Sequence, residues 1–167
     1  MISAHIYDVY VCELVAGIEP PYGESPVSVV VLKAQDQERY LPLFLHASDA
    51  QAIAAPLRGM QPCRPMTHDL MGQMLERLGH RVESVAICAV QGSSYLATLR
   101  IVSGTGAAEF DCRPSDGLAL AIRLNVPIVI APEVLERLGS AQCTTAIAQN
   151  AVPGAVATIT PVTLTKV

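Results

Sequence analysis

Two short segments of the 167-residue chain bring together the residue types that handle phosphate groups. The first has the sequence Arg64-Pro65-Met66-Thr67-His68-Asp69, and the second has the sequence Asp111-Cys112-Arg113-Pro114-Ser115-Asp116. Proline disfavours helical geometry in the residue before it, so each segment predicts a turn followed by a helix N-terminus. Each segment therefore predicts a cluster of carboxylate, guanidinium and hydroxyl groups around one helix start.

The acidic residues and the histidine of these segments suit the hydrolysis of a phosphodiester bond. Asp69, Asp111 and Asp116 are candidates for general bases and for ligands of a divalent cation, Mg²⁺ or Mn²⁺, because hard cations prefer oxygen donors. Such an ion would polarise the phosphodiester and lower the pKa of an attacking water. His68 is the candidate for moving the proton. These four residues are the predicted catalytic set.

The basic and hydroxyl residues of the same segments suit the binding of phosphate oxygens. Arg64 and Arg113 could neutralise them through charge-assisted hydrogen bonds, with Thr67 and Ser115 beside them as further substrate-binding groups. Helix N-termini also bind anions without a metal, so a non-catalytic module for a small phosphorylated or carboxylated ligand is a second hypothesis. A scaffold whose motifs only fix its fold and oligomer is a third.

Carboxylates in the first turn of a helix also have a purely structural explanation. Each stabilises its helix by about 0.3–1 kcal/mol through the helix dipole, and this accounts for Asp49, Asp69 and Asp116 taken singly. Asp111 lies at the end of a predicted strand, where the dipole does not account for it. The metal hypothesis requires the carboxylates of Asp69, Asp111 and Asp116 to lie within about 6 Å of one another, so that they can share one ion.

An internal repeat surrounds two of the predicted helix starts. Residues 48–54 align with residues 115–121 at an offset of 67 residues (115 minus 48), with Ser, Asp and two Ala identical. Each copy follows a strand-like run. Ser48 and Ser115 are the predicted N-caps, and Ser48 forms a capping-box pattern with Gln51. The repeat predicts two similar halves whose helix starts lie near each other.

The predicted elements are three strands, two helices, three strands, a helix, a short strand and a last helix. This order predicts an α+β fold, with two β-β-β-α halves forming one compact domain with mixed or antiparallel sheets. The helix capped by Thr67 should pack an apolar face into the core, formed by Leu70, Met71, Met74, Leu75 and Leu78. Residues 1–138 are the predicted domain. Residues 139–167, rich in Thr and Ala, are a partly ordered C-terminal tail with one strand near residues 156–159.

The composition limits the partners and the compartment. A net charge of −4 provides no general attraction to nucleic acid, so any such substrate should bind weakly and without sequence preference. The five cysteines are odd in number and form no C-x-x-C pair, which predicts free thiols in a reducing compartment. The first residues lack the pattern of a signal peptide, and no membrane span is expected. A cytoplasmic location follows as the prediction.

The two Arg-Pro segments resemble the signature segments of the bifunctional nuclease family, and the Ala50-x-Ala52-Ile53-Ala54 helix is similar as well. The resemblance covers about residues 2 to 138. It implies an α+β domain, nuclease activity on both DNA and RNA, and a homo-oligomer, most simply a dimer. The family usually has Glu where this chain has Asp49, and Ala where it has Gly117. Both signature segments are retained, which makes their residues the candidates for the site.

Overall fold

The computed structural model describes residues 1–14, 27–92, 94–151 and 156–161. The strands in these ranges are β1 (Ile2–Leu14), β2 (Val27–Ala34), β3 (Tyr40–Leu45), β4 (Arg81–Gln91), β5 (Ser94–Ser103), β6 (Gly106–Cys112), β7 (Ile128–Ile130) and β8 (Val156–Pro161). The helices are α1 (Ala47–Leu57), α2 (Thr67–Arg77), α3 (Pro114–Leu124), α4 (Pro132–Leu138) and α5 (Cys143–Asn150). The sequence predicts a loop at residues 17–26 and a hairpin turn at residues 91–93; the loop and Ser93 lie outside the described residues.

All eight strands belong to one sheet, which confirms the α+β prediction. The strand order is β3-β2-β1-β7-β4-β5-β6, and β8 also pairs with β1. Strand β1 is long enough to take two partners on one side, β7 along Ile2–Ala4 and β8 along Tyr10–Leu14. The β4–β7 pairing is parallel, and the other described pairings are antiparallel. The sheet is therefore mixed.

The sheet contains two antiparallel three-strand units, one on each side of β7. The unit β1-β2-β3 is followed directly by α1, and the unit β4-β5-β6 is followed directly by α3. The two helices that carry the repeated Ser-Asp sequence thus start from like strand arrangements, as the internal repeat predicts. Both helices lie on one face of the sheet, because the same core cluster contains residues of α1, of α3 and of alternate positions in the strands.

Alternation along β2 shows how the sheet is covered on both faces. Val30 and Leu32 belong to the main core under α1 and α3, whereas Val29 and Val31 belong to a smaller cluster that includes Ile147 of α5. All four of these β2 side chains are fully buried. A strand buried on both faces needs a continuous apolar sequence, and the β-branched run of β2 supplies it.

The two ends of the sheet approach each other. Pro42 lies in β3, at one edge of the sheet, where a residue without an N–H is tolerated. Its carbonyl accepts a hydrogen bond of 2.9 Å from the hydroxyl of Tyr95, which lies in β5 near the opposite edge. The sheet is therefore curved, and the ends of β3 and β6 stand close enough to form a shared site.

The predicted helix caps are wrong by one or two residues. The N-caps are His46 for α1, Met66 for α2 and Arg113 for α3, all with extended backbone. Ser48 lies inside α1 instead of forming a capping box with Gln51, and Ser115 is buried inside α3. Pro114 occupies the first turn of α3, where its fixed φ suits a helix and its missing N–H costs no bond, so the helix starts before the serine.

The predicted core face of α2 is wrong. Gly72 is the buried residue of this helix. Leu75 is partly buried against the main core, whereas Leu70 is 52%, Met71 40%, Met74 54% and Leu78 68% exposed. The apolar periodicity of α2 is real, but its apolar face points mainly away from the described core.

Within residues 139–151 and 156–161, the predicted C-terminal tail contains two regular elements. Residues 143–150 form helix α5, which the sequence analysis does not predict, and β8 occupies the place of the predicted strand. Ala146 and Ile147 of α5 are fully buried on the sheet. The five cysteines are all free thiols, as predicted. None of the helices in the described ranges has both the length and the apolar character needed to span a bilayer.

Candidate functional site

The Arg113 guanidinium joins the start of α3 to the start of α1. Its Nε donates to Asp116 Oδ2 at 2.8 Å and its Nη2 donates to Asp116 Oδ1 at 2.9 Å. Its Nη1 donates to Asp49 Oδ2 at 3.1 Å, and Nη2 lies 3.4 Å from Asp49 Oδ1. The repeated acids Asp49 and Asp116 therefore meet at one arginine. This contact confirms that the two repeated helix starts are neighbours.

His68 completes this group from the start of α2. Its Nε2 lies 3.3 Å from Asp116 Oδ1, and its side chain is 15% exposed. The hydrogen bonds from Arg113, and further the one from His68, lower the pKa of Asp116 below its usual range. An ionised carboxylate only accepts, so His68 donates from Nε2 and keeps a lone pair on Nδ1 when it is neutral. We call Asp49, His68, Arg113 and Asp116 the Arg113 cluster.

The charges of the Arg113 cluster set its affinity for other groups. Asp116 and Asp49 raise the pKa of Arg113, Asp116 having the larger effect, so the guanidinium stays charged. With a neutral His68, two carboxylates and one guanidinium leave one net negative charge. A guanidinium has five N–H groups, and the four contacts to Asp49 and Asp116 leave one of them for another acceptor. The cluster can donate to one phosphate oxygen but does not attract polyanions strongly.

Asp69 faces other partners than its neighbour His68. Its Oδ1 accepts a 2.7 Å hydrogen bond from Arg123 Nε, and its Oδ2 accepts one of 2.8 Å from the N–H of Met66. Arg123 Nη1 also donates to the carbonyls of Ala52 and Ala119, at 2.7 and 2.9 Å. One arginine thus connects α2, α1 and α3. Asp69 and Arg123 fix the start of α2, from which His68 reaches Asp116.

The three predicted metal ligands do not fit a shared ion in this arrangement. Both oxygens of Asp69 are occupied by Arg123 and Met66, and both oxygens of Asp116 by Arg113. Within residues 1–14, 27–92, 94–151 and 156–161, no group of three or more His, Cys, Asp and Glu is placed to hold a metal ion.

The remaining candidates divide between the site and the surface. Asp111 and Ser115 line a cleft beside Arg113. Arg64 and Thr67 are exposed at the start of α2, and their side chains make no hydrogen bond or ion pair with the described residues. The structure therefore brings His68, Asp116 and Arg113 together, with Asp111 and Ser115 alongside, and it places Asp69 in a separate ion pair.

The cleft beside Arg113 lies between the end of β3 and the ends of β5 and β6. It has a volume of about 360 Å³. Its walls combine apolar side chains, among them Phe44, Tyr95 and Leu96, with Asp49, Asp111 and Arg113. The Tyr95 side chain is held by its hydrogen bond to the carbonyl of Pro42. A small ligand in this cleft would lie directly beside the Arg113 cluster.

Two residues of the site were not in the predicted set. The helix dipole accounts for Asp49 in the sequence, although its repeat partner Asp116 is a candidate, and the offset of 67 residues is the signal that points to Asp49 as well. Arg123 carries no such signal, because a basic residue in the last turn of a helix is common for reasons of the helix dipole. Only the packing of three helices shows its role.

Comparison with known proteins agrees with the resemblance of the signature segments. The family model of the bifunctional nuclease domain matches residues 30–142. An uncharacterized protein of Mycobacterium tuberculosis is 34% identical over 122 residues, which cover 73% of this chain and 71% of the relative. Bifunctional nuclease 2 of Oryza sativa subsp. japonica is 28% identical over 110 residues, 64% of this chain and 34% of the relative.

A second plant relative has the same extent of similarity. Bifunctional nuclease 1 of Arabidopsis thaliana is 28% identical over 115 residues, 66% of this chain and 35% of that protein. The chain thus spans about a third of the length of these plant relatives. The family model covers most of the chain, including both signature segments and all four residues of the Arg113 cluster. The chain belongs to the bifunctional nuclease domain family.

Proposed function

We propose that this chain is a nuclease that hydrolyses phosphodiester bonds in DNA and RNA at the Arg113 cluster. The observation that carries the proposal is the placement of His68 against the ionised Asp116, which is held in turn by Arg113. A histidine oriented by a carboxylate is a common arrangement for general base catalysis. The names of the plant relatives support the same chemistry.

In the proposed reaction, His68 Nδ1 accepts a proton from a water molecule while the water oxygen forms a bond to phosphorus. Asp116 holds the imidazole through Nε2 and stabilises the imidazolium that forms. The free N–H of Arg113 donates to a non-bridging phosphate oxygen, where negative charge increases. The bond from phosphorus to the leaving sugar oxygen breaks, and this oxygen takes a proton from solvent. Because water is the nucleophile, the reaction needs no 2′-hydroxyl and can act on both DNA and RNA.

Weak, sequence-nonspecific binding of the substrate is part of the proposal. The chain carries a net charge of −4, and the Arg113 cluster adds a local negative charge when His68 is neutral. Affinity for nucleic acid depends mainly on neutralisation of phosphates by basic residues. Arg64, exposed and without a described partner, is the candidate for a second phosphate contact, and Thr67 is exposed beside His68.

The proposal is tested with the full chain, purified away from contaminating nucleases, on single-stranded DNA and RNA. The Asp116→Asn variant is near-isosteric but cannot orient and charge-stabilise His68 in the same way, so its turnover should fall by about 100-fold or more. Asp36→Asn, an exposed acid of the β2–β3 turn, is the matched control and should cleave like the parent. If Asp116→Asn also cleaves like the parent, the catalytic role is wrong and the anion-binding module becomes the better hypothesis.

The expected dependence on Mg²⁺ or Mn²⁺ stays a prediction, tested in the same assay. Chelator treatment followed by addition of each ion shows whether turnover depends on a metal. The predicted ligands Asp69, Asp111 and Asp116 should then be replaced singly by Asn. If Asp111 belongs to a metal site, turnover of Asp111→Asn should no longer respond to added metal. If the Arg113 cluster acts without a metal, chelator should leave the turnover of the parent unchanged.

We also propose that two copies of the chain associate through α2. The exposed apolar side chains Leu70, Met71, Met74 and Leu78 follow one stripe of this helix, and Met66 at its N-cap is 56% exposed. A stable interface buries roughly 800 Å² on each partner, with an apolar centre. Five half-exposed Leu and Met side chains supply a large part of such a centre. In a two-fold dimer the same stripe is covered on both copies at once.

A cytoplasmic location completes the proposal. It is supported by the five cysteines, which are free thiols in the structure. Burial raises the pKa of the Cys12 and Cys112 thiols to about 11, so these side chains remain protonated and are poor nucleophiles for disulfide exchange. Free thiols of this kind are usual in a reducing compartment.

A further inference from the structure

The cleft beside Arg113 contains a carboxylate that the fold does not use. Asp111 is exposed at the end of β6, and its carboxylate makes no hydrogen bond or ion pair with any of the described residues. The nearby acids Glu83 and Glu109 on the exposed side of the sheet do have a partner, because both pair with Arg100. Asp111 therefore lines the cleft as an acceptor without a partner.

The walls of the cleft have the composition of a site for a flat, partly polar ring. Phe44 and Leu96 are only partly buried, and Tyr95 is fixed by its hydrogen bond to Pro42. Aromatic and apolar faces of this kind stack on unpaired bases, whatever the base. The acceptor Asp111 is the group that could distinguish one base from another, because only some bases carry an exocyclic amino group.

The size and position of the cleft restrict the substrate further. A volume of about 360 Å³ is at the small end of ligand sites, which are about 300–1,000 Å³, so a single base fits and a base-paired stack does not. Asp111 and Arg113 are two residues apart in extended chain, roughly 7 Å, a distance that one nucleotide spans. A base beside Asp111 would thus have its phosphate near Arg113.

We infer that the cleft between β3 and β6 is a subsite for one unstacked nucleobase that carries an exocyclic amino group, with Asp111 as its acceptor. The inference rests on the proposed nuclease function, and it replaces binding without any sequence preference by a preference at one single base. It names the substrate class as single-stranded nucleic acid, or duplex ends that open, because a base must leave its stack to enter. Cytosine and adenine donate to Asp111 from their amino groups, whereas uracil and thymine present a carbonyl oxygen and are repelled.

The experiment measures binding and does not depend on cleavage. Cytidine and uridine 5′-monophosphate are titrated separately into the ¹⁵N-labelled full chain, and the amide resonances of residues 94–96 and 111–113 are followed by NMR. Cytidine monophosphate should shift these resonances and bind at least about fivefold more tightly than uridine monophosphate. Equal affinities, shifts confined to other surfaces, or no binding of either nucleotide at millimolar concentration would each overturn the subsite.

The Asp111→Asn variant tests the acceptor itself. Asn can turn an N–H towards the ligand, so the preference for cytidine monophosphate should disappear or reverse. Asp36→Asn, outside the cleft, should keep the parent preference. An unchanged preference in Asp111→Asn contradicts the role of this residue. If nucleotides bind as expected but Asp116→Asn does not alter cleavage, the subsite is supported and the catalytic role of Asp116 is wrong. If Asp116→Asn abolishes cleavage but neither nucleotide binds in the cleft, the catalytic role is supported and the subsite is wrong.

Discussion

At the scale of single residues, Asp116 is defined by its partners and not by its position in a helix. Any acid in the first turn of α3 would interact with the helix dipole. This one also accepts two hydrogen bonds from Arg113 and one from His68. These contacts hold its pKa below the usual range, so it is ionised under physiological conditions. A charged acceptor in this place keeps the His68 lone pair on Nδ1, where a base is needed.

The lowered pKa of Asp116 predicts a pH-dependent contribution to stability. A carboxyl with a lower pKa in the folded state stabilises the fold at pH above its unfolded pKa, and this stabilisation is lost as the pH falls through its folded pKa. Replacing Arg113 by Gln should raise the pKa of Asp116, measured by NMR from its carboxyl carbon. The difference in urea midpoint between parent and variant should be present at neutral pH and disappear in acid.

The control for this titration is Arg100→Gln. Arg100 also pairs with two acids, Glu83 and Glu109, but it is at the surface of β5 and is absent from the cleft lining. Its replacement should leave the Asp116 titration unchanged. A titration of Asp116 that is the same in parent and Arg113→Gln would mean that the guanidinium contact does not persist in solution.

Sequence reasoning identified the residue types of the site better than their partners. His68, Arg113 and Asp116 were predicted together because each lies beside a proline-fixed turn, and local chain geometry decides this. Asp69 was predicted as a ligand, but its partner Arg123 is 54 residues away in the sequence. Such a pairing depends on the packing of α2 on α3, which no local pattern encodes.

At the scale of elements, two glycines show how tightly the helices are packed. A Cβ at Gly117 of α3 would lie 2.7 Å from Cγ1 of Val85 and 3.4 Å from Sγ of Cys112. A Cβ at Gly72 of α2 would lie 2.8 Å from Cδ2 of Leu124. Val85 is fully buried and β-branched, whereas Leu124 is 36% exposed and can turn away. Replacement by Ala should therefore change the free energy of unfolding differently at Gly117 and at Gly72.

Gly117→Ala should lower the free energy of unfolding by about 1 kcal/mol, because overpacking costs more than the gain in helix propensity. Gly72→Ala should be neutral or raise the free energy of unfolding by up to about 1 kcal/mol. Urea denaturation of both variants measures the difference. In a Val85→Ala background the cost of Gly117→Ala should disappear. A Gly117→Ala protein as stable as the parent would show that strand β4 and α3 are farther apart than described.

The ion pair of Asp69 and Arg123 is predicted to hold α2 in place. Arg123→Met removes the charge and the hydrogen bonds to Asp69, Ala52 and Ala119 but keeps much of the side-chain volume. With Arg123 only 11% exposed, the free energy of unfolding should fall by about 2–3 kcal/mol. Arg100→Met, which removes two exposed ion pairs, should leave the urea midpoint nearly unchanged. If the two substitutions change the free energy of unfolding equally, Arg123 does not hold α2 in place as predicted.

The sequence predicts the bounds of an element where local rules set them. It does not predict the bounds that depend on tertiary contacts. The sequence predicts strands at residues 27–32 and 40–45 and a helix opened by Pro132 over residues 133–138. Strands β2 and β3 and helix α4 lie at these places, since a continuous apolar run and a proline at the helix start are local signals. Helix α5 is not predicted because most of its residues, among them Thr144, Thr145 and Asn150, have weak helix propensity. Burial of Ala146 and Ile147 on the sheet stabilises it. The face of α2 was predicted correctly as apolar and wrongly as core.

At the scale of the whole molecule, the repeat explains why the site lies where it does. Two like units meet around β7, and the curved sheet brings the start of α1 against the start of α3. The two units are not equivalent at the site. His46, the N-cap of α1, stands where α3 has Arg113, so only one arginine enters the junction between the two acids. The α+β class and the likeness of the halves were predictable, but the sheet order was not.

The exposed face of α2 predicts the oligomeric state. The parent chain should sediment as a dimer at micromolar concentration, and Met74→Glu, which places a charge in the middle of the stripe, should sediment as a monomer that still unfolds cooperatively. Phe110→Glu is the matched control, since Phe110 is 51% exposed on the edge strand β6. A parent that is monomeric at high concentration, or a Met74→Glu protein that remains dimeric, contradicts an α2 interface.

His68 and Asp116 are proposed to act as one catalytic unit. A double-mutant cycle on cleavage measures whether they do. Turnover of single-stranded RNA is measured for the parent, His68→Gln, Asp116→Asn and the double variant, with folding checked by melting temperature. Each single substitution should lower turnover by about 100-fold or more, and the double variant should be no slower than the slower single variant. Effects that multiply in the double variant, or single variants as active as the parent, would contradict the claim.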